Sequence, residues 1–537
     1  MFIIAAIGAI LTLYHIADFT RWGLSDGLTW LNTGYKKGPH NSIRWKDVPQ
    51  RHPVASMIQL PTDVPAAIPR IQHDFGDESP ARRTERQKRL ARVKDSFVHS
   101  WKGYRGHAWL QDEVTPISKG YKNEFGGWGA TLVDTLDTLY IMGMEKEFTV
   151  AVAALNRIDF SSTELDTLNV FETTIRYLGG LLSAYDLSKG KHPTLFGKAV
   201  ELGDMLYKAF DTPNRMPMAR WDWKKYVRTY TLVPKRRLPK FSGLNEAQEA
   251  PAQILSAELG SLSLEFTRLS QLTGDSKYYD AVQRITDQLE RQQNNTWLPG
   301  LWPVMLDAKS MDFTTGRAFT FGGMADSLYE YLPKACLPSK FLGSQPHKLT
   351  RIQQYLMLGN LPSQYRNMYA LAIDTAKKHL FFRPLNPDNR ELLLSGTVMK
   401  NAAGNIKLDP QGQHLACFTG GMVALAAKIF DRPDDIDIAR KLVEGCIWAY
   451  ESMPSSVMPE TSHVVPCEEG SDCTWSKEAW YNAIAHKMNY VEGSIGRIEE
   501  FIRTSRLPPG FTQIADPRYL LRYVHMLSCL HTRVAAG

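Results

Sequence analysis

What this sequence has little of narrows it first. Cysteine is scarce: six in 537 residues, too few to build a fold from disulfides. Cys336, Cys417, Cys446, Cys467, Cys473 and Cys529 contain no Cys-x-x-Cys pair, which argues against a structural zinc site. An excess of one charge is also lacking. With 63 basic and 56 acidic residues the net charge is +7, small for this length, so no nucleic-acid partner is expected. No fixed-period repeat of the TPR or HEAT type is evident. Charge is missing altogether from Met1 to Ala17, and Asp18 is the first charged side chain.

Residues 1–17 are thus an uncharged stretch near the lower length limit of a membrane span. They lack the charged n-region and the clear Ala-x-Ala-like cleavage site of a removable signal peptide, so they read as a signal anchor. Residues 18–81 carry Pro49, Pro53, Pro61, Pro65, Pro69 and Pro80 among polar residues with little periodicity, the composition of a stem. A basic run from Arg82 to Lys94 could suggest acidic partners. Leu90, Val93, Phe97 and Trp101 recur at helical spacing through it, however, so the run reads as the solvated face of the first domain helix. One sequon, Asn294-Asn295-Thr296, adds weak support for a secretory route.

At 43% hydrophobic and 22% charged content the chain can bury a large core. Helical patterns follow one another with few strand signals. Leu132, Leu136, Leu139 and Tyr140 mark one helix; Leu255, Leu259, Leu262, Phe266 and Leu269 mark another that ends near Gly274. Further helices are expected at 195–210, 276–292, 323–333, 362–379, 415–430, 435–452, 476–488 and 492–504. An all-α domain of helical hairpins is the economical reading.

Within it, several acids sit beside apolar stripes. In Asn169 to Tyr185, Phe171, Ile175, Leu178 and Leu182 define the buried stripe, and Glu172 and Arg176 lie four apart on a neighbouring face that continues into Gly179 and Gly180. Taken alone, Glu172 reads more readily as half of a surface ion pair than as a catalytic carboxylate. Its companions shift that balance. Glu258, Ser261, Glu265 and Arg268 form a polar stripe on the helix at 255–269, and Asp326 and Glu330 form a like-charge pair that costs helix stability. Asp134 and Asp137 flank Leu136; Glu460 and His463 follow Pro459 in an expected loop. Acids interleaved with aromatics suit glycoside hydrolysis, in which one carboxylic acid protonates the leaving oxygen and another carboxylate activates water.

Gly126 to Met144, the Glu172 segment, Ile254 to Asp275 and Ala325-Asp-Ser-Leu-Tyr-Glu-Tyr331 resemble, in order, the signature blocks of glycoside hydrolase family 47, the class I α-1,2-mannosidases. The resemblance runs from about Arg86 to Arg522. It implies an (α/α)7 barrel that removes α-1,2-linked mannose from high-mannose N-glycans with inversion, with a bound calcium ion, in the endoplasmic reticulum or Golgi on the lumenal side of the membrane. It gives Glu172 the role of general acid acting through a water, makes Asp326 a second catalytic carboxylate and Glu460 a third active-site acid, and puts Arg176, Glu258 and His463 in the mannose pocket. It also implies a disulfide between Cys417 and Cys446. Cys467 and Cys473 have no counterpart in it. Met324 stands where many members carry Arg before Ala-Asp. A non-catalytic glycan-binding protein of the same fold, serving glycoprotein quality control, is the alternative.

The resemblance divides the chain into the anchor (1–17), the stem (18–81), a catalytic domain (82–522) and a tail outside the family pattern (523–537). After Tyr519-Leu-Leu-Arg522 the family continues with Pro-Glu, whose Glu is the expected general base. Here Tyr523-Val-His-Met comes next. The later Thr-Glu is absent too, and with it the Thr that supplies calcium ligands, so no metal ligand is assigned and the barrel is expected to be incomplete at its C-terminal end. An Arg-Tyr-Val coding sequence can contain an intron donor, and the tail reads as translated intron, which sequencing of the spliced message across the Arg522 codon tests.

Overall fold

The periodic apolar positions fold into helices that pack in consecutive pairs. A computed structural model describes residues 43–62, 71, 75–231, 247–335, 358, 363–401, 403–468, 470, 472–489 and 495–518. The anchor at 1–17 and the tail at 523–537 lie outside the described residues. Among the described residues, no helix is long and apolar enough to cross a membrane.

Helix α1 (Pro80–His107) opens on proline, and the Ser79 hydroxyl accepts the Arg82 N–H at 3.3 Å. Leu90 and Val93 remain exposed, whereas Trp101 and Tyr104 are buried. The stripe expected from Leu90 to Trp101 therefore becomes core only toward its C-terminal end. The expected helix around 132–140 is two short helices, α2 (Ala130–Asp134) and α3 (Leu136–Ile141), followed by α4 (Glu145–Ala154). Next come α5 (Val170–Glu172), a π-turn at Thr173–Leu178, α6 (Gly179–Leu187), α7 (Pro193–Tyr207) and α8 (Trp223–Thr231). The helix expected at 255–269 is also divided, into α9 (Ser256–Gly260) and α10 (Ser263–Thr273), and α10 ends at Gly274 with φ 72°. The break coincides with close packing: Gly260 faces the Leu328 side chain, and the Ser261 hydroxyl bonds that of Ser327 at 2.7 Å.

The remaining helices are α11 (Lys277–Gln292), α12 (Asp326–Ala335), α13 (Ser363–His379), α14 (Phe418–Ile429), α15 (Asp435–Ser452), α16 (Lys477–Met488) and α17 (Ile495–Ser505). Helices α3, α6, α10, α12 and α14 touch one another in that order, and each of the last four also packs against the helix that comes after it in the chain. Helix α14 is buried along nearly its whole length, as a helix apolar on every side must be.

Short strand pairs sit at the helix ends. β1 (Glu113–Thr115) pairs with β2 (Gly120–Lys122), β3 (Leu168–Asn169) with β4 (Arg220–Trp221), β5 (Ile254–Leu255) with β6 (Met305–Leu306), and β8 (Phe381–Phe382) with β9 (Leu394–Ser395). β7 (Ala318–Thr320), β10 (Thr397–Lys400) and β11 (Ile406–Asp409) form one three-stranded sheet. β12 (Gln411–Gln413), β13 (Thr461–Val464) and β14 (Phe511–Asp516) form another. These elements of two to six residues are too short to show a period in the sequence.

Residues 44–59 lie within the Pro-rich stretch read as stem, yet they are bonded to the helical body. Trp45 is 2% exposed, the Asp211 carboxylate accepts the Arg51 and His52 N–H groups at 2.8 and 2.7 Å, and Asp280 accepts the Ile58 N–H at 2.8 Å. A segment with little local periodicity can still be fixed when distant side chains take up its backbone groups.

Candidate active site

Three of the sequence-selected acids stand where short strands lead into helices, and the fourth stands just before a strand. Glu172 comes after β3, Glu258 after β5, Asp326 begins α12 six residues after β7, and Glu460 immediately precedes β13. Carboxylates at the N-terminal ends of helices meet unpaired backbone N–H groups and the positive end of the helix dipole.

Glu172 closes α5, and its N–H is capped by the Asn169 side chain at 3.1 Å. The backbone then widens into the π-turn, where the Thr173 and Thr174 hydroxyls bond the Asn169 and Val170 carbonyls, each at 2.7 Å. The wider turn rotates the side chains of the next two turns of helix. Thr173, Thr174, Tyr177, Leu178, Leu181 and Leu182 form the buried face, while Phe171 and Ile175 are only half-buried, which corrects the stripe expected from simple helical spacing. Such π-turns recur at functional sites.

Arg176, inside the π-turn, donates from Nε to Glu172 Oε2 at 2.9 Å and places Nη1 3.6 Å from Asp134 Oδ2, while its guanidinium lies 4.7 Å from the centre of the Phe125 ring. Asp134 keeps 47% of its side-chain exposure but is crowded by surrounding protein. That desolvation raises its pKa to about 6; Arg176 opposes the rise and Asp137 reinforces it. Gly180 permits the arrangement. A Cβ there would come within 2.5 Å of the Val133 carbonyl oxygen and 3.2 Å of the Asp134 Cα, so any side chain would push Asp134 out of place.

A continuous run of contacts links the other acids. β3 pairs with β4, so Asn169 lies opposite Arg220, and Arg220 Nη1 donates to Glu258 Oε1 at 2.7 Å. The N–H of Ala257 donates to the Met324 carbonyl at 3.0 Å, two residues before Asp326. The Gly323 N–H donates to Gln413 Oε1 at 2.8 Å, Gln413 pairs with Thr461 across β12 and β13, and the His414 N–H donates to the Glu460 carbonyl at 2.9 Å. Met324, which departs from the family pattern, is 60% exposed with φ 77°.

A sequence profile described as glycosyl hydrolase family 47 matches residues 96–523. The chain belongs to that family. It is 31% identical over 426 residues to a mannosyl-oligosaccharide α-1,2-mannosidase of Penicillium citrinum, covering 75% of this chain and 74% of that one. It is 33% identical over 387 residues to the endoplasmic reticulum mannosyl-oligosaccharide 1,2-α-mannosidase of Rattus norvegicus, covering 72% of this chain and 51% of the rat protein. Among solved structures, α-1,2-mannosidase from Trichoderma reesei superposes with a TM-score of 0.64 at 26% identity, over 84% of this chain and 81% of that one.

In this family 47 chain, Cys417 and Cys446 are bridged, with Cα atoms 5.9 Å apart. Cys417 Sγ lies 3.8 Å from Met458 Sδ, so the bridge backs the loop that presents Glu460. Cys467 and Cys473, which have no counterpart in the resemblance, form a second bridge. His463 places Nε2 3.2 Å from Asp409 Oδ1. Burial lowers its pKa, and Asp409 only partly offsets this.

Two groups absent from the sequence-derived site support it. Asp112, fully buried, accepts the N–H groups of Phe125, Gly127 and Ala130 at 2.8, 2.8 and 3.0 Å and the Tyr177 hydroxyl at 2.7 Å. It thereby ties the glycine-rich loop to the π-turn. Its only signal in the sequence was proximity to that loop. Arg220 gave no signal at all, because its partner Glu258 is 38 residues away.

Glu265 was expected on a polar stripe with Glu258 and Arg268. Arg268 instead bonds Asp186 of α6 at 2.7 and 2.9 Å, and Glu265 is turned inward. Its Oε1 accepts the Tyr331 hydroxyl at 3.0 Å, and its Oε2 is buried without a partner among the described residues. Burial pushes its pKa up to about 7, against the Tyr331 hydrogen bond and Lys334. The folded state therefore binds this proton more tightly than the unfolded chain. The stability this group contributes is full below about 4.5 and is lost as pH rises to about 7, in all roughly 3 kcal/mol. Glu265→Gln, neutral throughout, is expected to melt higher than the unaltered protein at pH 8 and close to it at pH 4.5. A melting difference that does not change with pH would contradict the assignment.

Proposed function

We propose that this protein hydrolyses terminal α-1,2-linked mannose from high-mannose N-glycans, with inversion. The observation that carries the reading is family 47 membership over residues 96–523, reinforced by relatives whose names specify that bond. The (α/α)7 barrel belongs to the same proposal, supported by the succession of touching helices α3, α6, α10, α12 and α14, the last four each packed on the helix that follows it.

In the proposed reaction, Glu172 delivers a proton, through a water, to the leaving glycosidic oxygen as the bond to the anomeric carbon breaks. A second water forms the new bond from the opposite face and surrenders its proton to a base. Asp326 and Glu460 are the further active-site acids, and Arg176, Glu258 and His463 line the mannose pocket. Arg176 supports its role by holding Glu172 at 2.9 Å. The accepting base is the Glu of the Pro-Glu pair that the family pattern puts after Arg522, where this sequence has Tyr523-Val524. We propose that residues 523–537 are translated intron and that the spliced message supplies the base.

The family resemblance implies calcium, a hard cation that takes six to eight oxygen ligands. Among the described residues no group of three or more His, Cys, Asp or Glu could hold a metal ion. We further propose residues 1–17 as a signal anchor, 18–81 as a stem whose 44–59 portion is docked, and 82–522 as a lumenal catalytic domain in the endoplasmic reticulum or Golgi. The test is release of free mannose from a high-mannose glycan by the product of the spliced message. Binding of the glycan without release would overturn the enzymatic reading.

A further inference from the structure

We propose that Trp45, in the docked segment before α1, is a positioning residue for the active site. It fixes Trp221 and through it the β3–β4 pair that sets both Glu172 and Glu258. The inference rests on the proposed function in that those two acids are taken as site residues.

Each link is direct. The Trp45 ring lies 5.8 Å from that of Trp221 and 6.0 Å from that of Trp223, centre to centre, and Trp45 and Trp221 are 2% and 1% exposed. Trp221 is half of β4. It pairs with Leu168, its neighbour Arg220 pairs with Asn169, and the Val170 N–H donates to the Ala219 carbonyl at 3.1 Å. Asn169 caps the N–H of Glu172, and Arg220 holds Glu258. A two-residue strand pair is too short to be stable alone. Its geometry must come from what packs on it, and Trp45 is one of its principal apolar neighbours.

The docked segment is anchored in two separable halves. The near half is held beside β4: Lys208 donates to the Val48 carbonyl at 2.5 Å, Tyr226 donates to the Pro49 carbonyl at 3.2 Å, and Asp211 accepts the Arg51 and His52 N–H groups. The far half is held on α11, where Asp280 accepts the Ile58 N–H and Arg284 donates to the Ser56 carbonyl at 3.1 Å. Helix α11 carries none of the proposed site residues. A segment that served only to cover apolar surface would affect stability alike through either half. A positioning segment acts on catalysis through the near half alone.

The experiment compares Trp45→Ala, Trp45→Phe and Asp280→Asn in the full chain, measuring kcat, KM, melting temperature and amide exchange at Val170. Trp45→Ala is expected to lower kcat roughly 10- to 100-fold, the scale set by misplacing catalytic groups by about 1 Å, and to speed exchange at Val170. Trp45→Phe restores most of both. Asp280→Asn lowers the melting temperature with kcat unchanged. Unchanged kcat and exchange in Trp45→Ala, or an equal kcat loss in Asp280→Asn, would overturn the proposal. If Trp45→Ala does not fold, Trp45→Leu carries the same comparison. If the unaltered protein releases no mannose, the functional reading fails, and exchange at Val170 still decides whether Trp45 sets the strand pair.

Discussion

Glu172→Gln is expected to slow mannose release by about 100- to 10,000-fold, the range associated with losing general acid catalysis, while leaving the melting temperature nearly unchanged. Glutamine keeps the size of the side chain and can still accept from Arg176 Nε, now 2.9 Å from Glu172 Oε2, but it has no acidic proton to deliver. The fold tolerates the change because Glu172 is held mainly by its backbone: its N–H is capped by Asn169, and the π-turn after it is tied by the Thr173 and Thr174 hydroxyls. Arg176 keeps Asp134 as a second anionic neighbour at 3.6 Å. The measurement is free mannose from a high-mannose glycan under saturating substrate, alongside thermal melting. A variant that turns over within a few-fold of the unaltered protein would remove Glu172 from the mechanism.

Asp112→Ala is expected to cost about 3–5 kcal/mol of unfolding free energy, the scale for stripping the charged partner from a buried polar network. Four donors converge on this fully buried carboxylate: three backbone N–H groups of the loop from Phe125 to Ala130, and the Tyr177 hydroxyl. Truncation leaves those donors without an acceptor and out of reach of water. Asp112→Asn retains one carbonyl acceptor and is expected to lose less. Because the same loop sets Phe125 against Arg176, turnover should fall along with stability. Urea unfolding of both variants checks the ranking, and a loss below about 1 kcal/mol for Asp112→Ala would show that the cradle is not a principal restraint.

The helices were legible because long periodic runs survive tertiary context. The pattern at 435–452 corresponds to α15 (Asp435–Ser452), and the end expected near Gly274 is the end of α10. Breaks inside other patterns were not legible. Leu132 to Tyr140 reads as one helix, but the chain divides at Thr135 where the Val133 carbonyl meets Gly180, 47 residues further on. The same holds for Gly260 against Leu328.

By itself the sequence determined the helical class and the order of the family blocks, because both are written in local spacing, and the proposed roles of the acids rest on the resemblance those blocks carry. Tertiary structure alone decided which groups these residues meet. The π-turn after Glu172 changes which face of its helix is buried, Glu265 turns from an expected outer stripe inward with its Oε2 buried, and Trp45 becomes core although it lies in a stretch that reads as stem. The physical reason is common to all three. Periodicity reports how a segment repeats along its own axis, whereas burial and the partner of a polar group depend on residues tens to hundreds of positions away.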